Sequence, residues 1–213
     1  KTLAAAITGN AGQVCVAGSR LLIQHELLEP MIERLSKHFN ALTPGPTWQT
    51  GGWFSPIISA TQLTRIESIV ARSREAGAEL LGGGERFERN DGGHFYQPTL
   101  LHTNDRHNPA VEEEIFGPVL TIQTFESEEE ALALAEHDVY GLAAGIHTAD
   151  LGRALRTVRR LSAGTVWVNR YGRSNDYILP TGGYKRSGVG RDLGRAAFDA
   201  CLQHKSVLID LDQ

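Results

Sequence analysis

Helix and strand signals alternate from one end of this chain to the other, and that rhythm restricts the fold more than any other feature. Residues 19–24 form a short apolar run suited to a buried strand, and a helical pattern follows over residues 26–39. Prolines and glycines over residues 43–56 indicate a loop. Ser59-Ala60-Thr61-Gln62 has the Ser-x-x-Gln form of a capping box and opens an amphipathic helix running towards Ala76. A strand over residues 78–81 meets a turn at Gly82-Gly83-Gly84, and residues 99–101 and 119–125 read as further strands. Ser127-Glu128-Glu129-Glu130 is a second capping box, starting a helix through about His137. A strand over 142–148, a helix over 151–161 with an arginine-rich exposed face, and a strand over 164–169 complete the pattern. The expected fold is α/β, a three-layer open twisted sheet with helices on both faces.

Composition narrows the class further. The 213 residues suit one domain of ordinary size, and 41% hydrophobic with 22% charged residues can fill a core. A net charge of -4, with both signs mixed along the chain, leaves no electrostatic footprint for nucleic acid. No apolar run approaches membrane-spanning length. The two cysteines are far apart, which argues against a disulfide framework and fits a reducing, cytoplasmic compartment. The chain lacks an initiator methionine and opens in what reads as the last turns of a helix, so a piece of a longer protein is expected.

Cys15 lies among small residues in Gly12-Gln13-Val14-Cys15-Val16-Ala17-Gly18, which leaves its thiol approachable. An accessible thiol is a candidate nucleophile, although packing is the commoner use of a free cysteine. Cys201, between Ala200 and Leu202 in a helical stretch, reads as packing. Gly188-Val189-Gly190-Arg191-Asp192-Leu193-Gly194 superficially resembles a dinucleotide fingerprint, but its last glycine is one residue late and no apolar strand precedes it. That fingerprint works only between a strand and a helix N-terminus, so glycines packing a loop before a helix are the better reading.

Downstream, Glu112-Glu113-Glu114-Ile115-Phe116-Gly117-Pro118-Val119 joins an acidic run, an aromatic and a Gly-Pro turn ahead of a strand. Alone it reads as a solvated loop with a core aromatic. Paired with the Gly-Gln-x-Cys setting of Cys15, it resembles the aldehyde dehydrogenase superfamily. The resemblance continues through Tyr140-Gly141-Leu142-Ala143-Ala144, Ala163-Gly164-Thr165-Val166-Trp167-Val168-Asn169 and Gly182-Gly183-Tyr184-Lys185-Arg186-Ser187-Gly188. The blocks stand in the family's order and cover essentially the whole chain.

The resemblance implies that residues 1–204 are the family's catalytic, thiol-bearing domain, without its NAD-binding domain, and that 205–213 form a C-terminal edge strand for oligomerisation. It implies NAD(P)-dependent oxidation of an aldehyde to a carboxylic acid through a thiohemiacetal and a thioester on Cys15. Sulfur suits both halves of that reaction as a nucleophile and as a leaving group. The Cys15 N–H would be one oxyanion donor. Glu114 matches the acid that holds the nicotinamide ribose, and Phe116 the aromatic that flanks the same end of the cofactor, NAD or NADP. Gln62 and Arg65 are further cofactor candidates, although the capping box by itself accounts for Gln62 and a lone helix arginine is ordinarily solvated. The family's general base and second oxyanion donor lie well upstream of the thiol, so this chain alone is expected neither to hold NAD tightly nor to turn over aldehydes.

By the same resemblance, residues 171–181 line the aldehyde entrance, with Tyr171, Tyr177, Ile178 and Thr181 as lining residues and Arg173 and Asp176 between them. A medium-sized aldehyde with a polar end is the expected partner. An unpaired strand edge in the tail would favour a homodimer or larger homo-oligomer. Two rivals stay open: a cysteine hydrolase or acyltransferase with a histidine base such as His25, His94 or His204, and a non-catalytic assembly module.

Overall fold

The computed structural model describes residues 1–48, 53–87, 92–172 and 177–211, so Arg173 and Asp176 lie outside the described residues. In chain order the elements are α1 (Thr2–Thr8), β1 (Arg20–Gln24), α2 (Leu28–Asn40), β2 (Thr43–Pro44), β3 (Trp53–Phe54), α3 (Ala60–Glu75) and β4 (Glu79–Gly82). They continue with β5 (Thr99–His102), α4 (Pro109–Glu112), β6 (Val119–Phe125), α5 (Glu128–Ala135), β7 (Tyr140–Gly141) and β8 (Ala143–Ile146). Last come α6 (Leu151–Arg160), β9 (Thr165–Val168), β10 (Tyr184–Lys185) and α7 (Gly194–Ala200). The expected elements are present within a residue or two, except that 43–56 contributes the short parallel pair β2–β3 and the tail forms no strand.

The main sheet has the order β1-β6-β5-β4, parallel across β1, β6 and β5, with β4 antiparallel at one edge. Strand alternation sends successive side chains to opposite faces. Leu100, Leu120 and Ile122 pack with Ala4 and Ile7 of α1 and with Leu35 and Phe39 of α2. Leu101 and Val119 face the other way, onto Leu63, Ile66, Ile69 and Val70 of α3 and Ala110 of α4. Helices therefore cover both faces of an open sheet, the expected three-layer arrangement. β8 pairs in parallel with β9, and β7 with β10 in antiparallel fashion, in two smaller ladders.

Both capping boxes start their helices where expected. Ser59 Oγ accepts from the Gln62 N–H at 3.2 Å, and Ser127 Oγ from the Glu130 N–H at 3.2 Å. A serine cap is worth about 1 kcal/mol to its helix. The arginines of α6 turn to the acidic first turn of α5, with Arg160 bidentate on Glu129 at 2.5 and 2.7 Å and Arg156 on Glu128 at 3.4 Å. These pairs are exposed and fix helix orientation more than they add stability.

One expectation at the C-terminal end is corrected and one concerns a second copy of the chain. Cys201 follows α7 and is exposed, because α7 lays no residue in the core. Residues 205–211 pair with no described strand of this chain, and Val207, Leu208, Ile209 and Leu211 all face solvent. A strand needs a ladder to join, and an edge strand that joins subunits finds its ladder on a second copy. No described helix is long and apolar enough to cross a membrane.

Candidate active site

α1 ends in a 3₁₀ turn, Gly9–Gly12, in which Asn10 (φ 50°), Ala11 (φ 52°) and Gly12 (φ 72°) are consecutively left-handed. Such a conformation costs a non-glycine residue about 1–2 kcal/mol, so something must hold it. Asn10 Nδ2 donates to the Gln13 carbonyl at 3.0 Å, and the Gln13 N–H returns to the Asn10 carbonyl at 3.1 Å. A β-turn follows, closed by Ala17 N–H donating to Val14 O at 2.8 Å, with Cys15 at its first corner. The Gly18 N–H donates to Ala6 O at 3.0 Å and ties the exit of this turn back to α1.

Cys15 is exposed and lines a cleft of about 690 Å³. The walls are Thr2, Ala5, Ala6 and Gly9 beside α1, the turn Val14–Ala17, and Tyr171 with Gly172. Among the described residues that line the cleft there is no charged side chain and no histidine. Among the described residues no protein acceptor takes the Cys15 N–H. The Tyr171 ring is wedged between Gly18 and Gly145 and leans on Trp167, with ring centroids 5.0 Å apart. Burial pushes the Tyr171 hydroxyl up to about 12, so it keeps its proton at neutral pH.

The acidic segment is anchored at its start by Asn108, which is fully buried. Its Oδ1 accepts the Ala110 N–H at 3.0 Å, and its Nδ2 donates to Ser73 O at 2.9 Å. Beyond it the three glutamates have different fates. Glu112 accepts from His107 Nδ1 at 2.9 Å, which raises that imidazole from its ordinary range. Glu113 accepts two hydrogen bonds from Arg72 at 2.6 and 3.0 Å, and the pairing draws its carboxyl down. Glu114 is exposed, and among the described residues its carboxylate has no partner. Phe116, left-handed at φ 56°, leaves its ring 38% exposed. The run thus presents one free carboxylate and one partly bare aromatic.

Helix α3 holds that presentation in place. The Gln62 amide does not close its capping box; Nε2 donates to the carbonyls of Ile115 and Phe116, both at 3.0 Å. Arg65, expected to be solvated if not on a cofactor, donates to Glu114 O at 2.5 Å and Ile115 O at 3.2 Å. The sequence reading missed this role. Gln62 and Arg65 lie three apart on one helix face, but nothing local specifies carbonyls some fifty residues away as their acceptors. Gly12 meets the same segment at its other end. A Cβ there would overlap the Gly117 carbonyl, so only glycine lets the Cys15 turn approach.

The structure therefore brings Cys15 and the segment carrying Glu114 and Phe116 together through Gly12, and places Gln62 and Arg65 behind them. Tyr171 reaches the cleft. Tyr177 and Ile178 do not line it, being 70% and 83% exposed, and Thr181 pairs its backbone with Asp192 in both directions at 2.7 Å. The segment from Gly188 to Gly194 follows the two-residue β10, not an apolar strand, and leads into α7; among the described residues a Cβ at Gly188 or Gly190 would stand in open space, and only one at Gly194 would lie close against a neighbour, Ile178 O.

Known proteins with this architecture are numerous. The model of the aldehyde dehydrogenase family matches residues 1–207. An aldehyde dehydrogenase of Alternaria alternata is 38% identical over 202 residues, spanning 95% of this chain and 40% of that protein. The NAD+ complex of an aldehyde dehydrogenase from Bacillus cereus superposes with a TM-score of 0.93 at 34% identity, covering 99% of this chain and 42% of that one. An NAD-dependent aldehyde dehydrogenase from Sinorhizobium meliloti gives 0.92 at 38% identity, over 100% and 42%. The chain thus spans about two fifths of the length of these relatives. On the family match and the shared fold together, this chain belongs to the aldehyde dehydrogenase family.

Proposed function

We propose that this chain is the thiol-bearing part of an NAD(P)-dependent aldehyde dehydrogenase, with Cys15 as nucleophile. The observation that carries the reading is the placement of Cys15. It is exposed at a turn corner in a cleft whose described lining is uncharged, its N–H has no acceptor among the described residues, and it is joined through Gly12 to the segment bearing Glu114 and Phe116.

The chemistry follows from these groups. Cys15 Sγ adds to the aldehyde carbon and forms a thiohemiacetal, while the Cys15 N–H is available to the developing oxyanion. Bound NAD or NADP supplies the hydride acceptor that oxidation requires. Glu114 offers two acceptor oxygens to a ribose diol, and the bare face of Phe116 offers a flat surface to the adjoining ring. The acyl group left on Cys15 is a thioester, which water opens to the carboxylic acid and the thiol. The apolar walls and the protonated Tyr171 favour an uncharged aldehyde of medium size, with a polar end able to accept a hydrogen bond.

Two finer statements belong to the same proposal. These 213 residues alone neither hold NAD tightly nor turn over an aldehyde, since the described residues include no strand feeding a glycine-rich dinucleotide turn. Micromolar NAD binding in calorimetry of this chain would refute that. The exposed apolar tail joins copies into a homodimer or larger assembly, and a monomeric mass by light scattering would refute that. For the activity itself, the expected result is aldehyde-dependent NADH formation by the natural full-length protein, abolished by Cys15→Ala. Undiminished activity in the variant would remove Cys15 from the reaction.

A further inference from the structure

We infer that Gln13 is a positioning residue: its side chain clips the nucleophile turn to the start of α3, and so sets where Cys15 stands relative to Glu114 and Phe116. The inference rests on the reading of Cys15 as nucleophile. A primary carboxamide has one acceptor oxygen and two donor hydrogens, and every one of these functions is used here. Gln13 Oε1 accepts the Ile58 N–H at 2.9 Å. Nε2 donates to Pro56 O and to Asn10 O, both at 3.1 Å. Two partners lie more than forty residues along the chain, immediately ahead of the Ser59 cap of α3. The third is the first of the left-handed residues that carry the chain to Cys15.

α3 is also the helix whose Gln62 and Arg65 hold the carbonyls of residues 114–116. A continuous hydrogen-bonded path therefore runs from the residue two before Cys15, through the α3 N-terminus, to the carboxylate-bearing segment. Gly12 against Gly117 closes the same loop by direct contact. No other side chain fits the three positions. Glutamate keeps an acceptor for Ile58 but loses both donors, asparagine is one methylene short of the span, and alanine leaves all three backbone groups to find water. Gln13 is not among the residues that line the cleft, so its effect passes through the backbone of the turn.

The test compares wild type, Gln13→Ala and Gln13→Glu in the natural full-length protein, by three readouts. Amide exchange reports Ile58, site-resolved iodoacetamide labelling reports Cys15 apart from the exposed Cys201, and steady-state kinetics report turnover. Gln13→Ala should speed Ile58 exchange by about tenfold and change Cys15 labelling by about threefold or more. It should lower kcat by at least about tenfold, with KM for NAD little changed, because a misplaced nucleophile costs the chemical step and not cofactor capture. Gln13→Glu should keep Ile58 protected and recover part of the loss. Faster Ile58 exchange with unaltered Cys15 labelling and unaltered kcat would overturn the inference, as would an equal loss in both variants. The exchange and labelling arms need no turnover. If wild type reduces no NAD with any aldehyde, the dehydrogenase reading fails, and altered or unaltered Cys15 labelling still decides for or against Gln13.

Discussion

Gly12 and Gly117 approach so closely that a Cβ on Gly12 would overlap the Gly117 carbonyl oxygen, and this contact couples the thiol turn to the Glu114–Phe116 segment. Gly12 is also left-handed at φ 72°. Gly12→Ala therefore meets both strain, about 1–3 kcal/mol, and a backbone collision that forces the two loops apart. The expected outcome is a melting temperature lower by roughly 5–10 °C and altered labelling of Cys15. Calorimetry and thiol labelling would check both, and an unchanged melt with unchanged labelling would contradict the coupling.

Arg65 is predicted to act on cofactor affinity by holding the carbonyls of Glu114 and Ile115. Hydrogen bonds from a charged donor are worth about 1.5–3 kcal/mol, so Arg65→Ala should raise KM for NAD by about tenfold or more in the full-length protein. Labelling of Cys15 should stay within about twofold, because the turn has its own ties. A large change in labelling with an unchanged KM for NAD would reverse the assignment.

The regular elements were legible in the sequence because they depend on neighbours along the chain. Ser59 and Ser127 cap the helices that their Ser-x-x-Gln/Glu spacing announces, and 119–125 is a strand because alternate residues serve two buried faces. The family was legible through ordered blocks of motif, and the same blocks name Cys15, Glu114 and Phe116 as its candidate residues. What was not legible depends on distant acceptors. Gln62 at the third helical position could have completed its capping box, yet three-dimensional proximity turned its amide to Ile115 and Phe116. The tail alternates like a strand, but the ladder expected for it lies on a second copy, which local alternation does not specify. Cys201 sits among apolar neighbours in sequence, but on a helix that the core does not cover.

Alkaline stability is predicted to depend on Tyr96. It is 1% exposed, and burial, reinforced by the Glu67 carboxylate, raises its hydroxyl from 10.0 to about 12. Above pH 10 the unfolded chain releases this proton while the folded chain retains it, so the folded state binds more protons and loses stability as pH rises. The loss should accumulate between pH 10 and about 12 and reach ~2–3 kcal/mol at the top of that window. Denaturant titrations across the window would show it, with a flatter profile for Tyr96→Phe. Parallel profiles for the two proteins would contradict the prediction.

Asn108 is predicted to be the most costly polar position behind the acidic segment. Its fully buried amide serves Ser73 O and the Ala110 N–H, and Asn108→Ala strands the Ala110 N–H, while Ser73 O keeps the Ala78 N–H at 2.9 Å. An unsatisfied buried group costs about 1–3 kcal/mol, so a destabilisation of that size is expected by chemical denaturation. A change below about 1 kcal/mol would show that the segment is anchored elsewhere.

In the proposed reaction the exposed thiol of Cys15 carries the substrate as a thioester. The most direct measurement is rapid acid quench of the natural full-length protein during turnover with an aldehyde and NAD, followed by peptide mass spectrometry. The account predicts an acyl group, of the mass of the aldehyde less one hydrogen replacing the thiol hydrogen, on the peptide containing Cys15 and not on that containing Cys201. NADH formation with Cys15 unmodified at every quench time, and undiminished in Cys15→Ala, would contradict it.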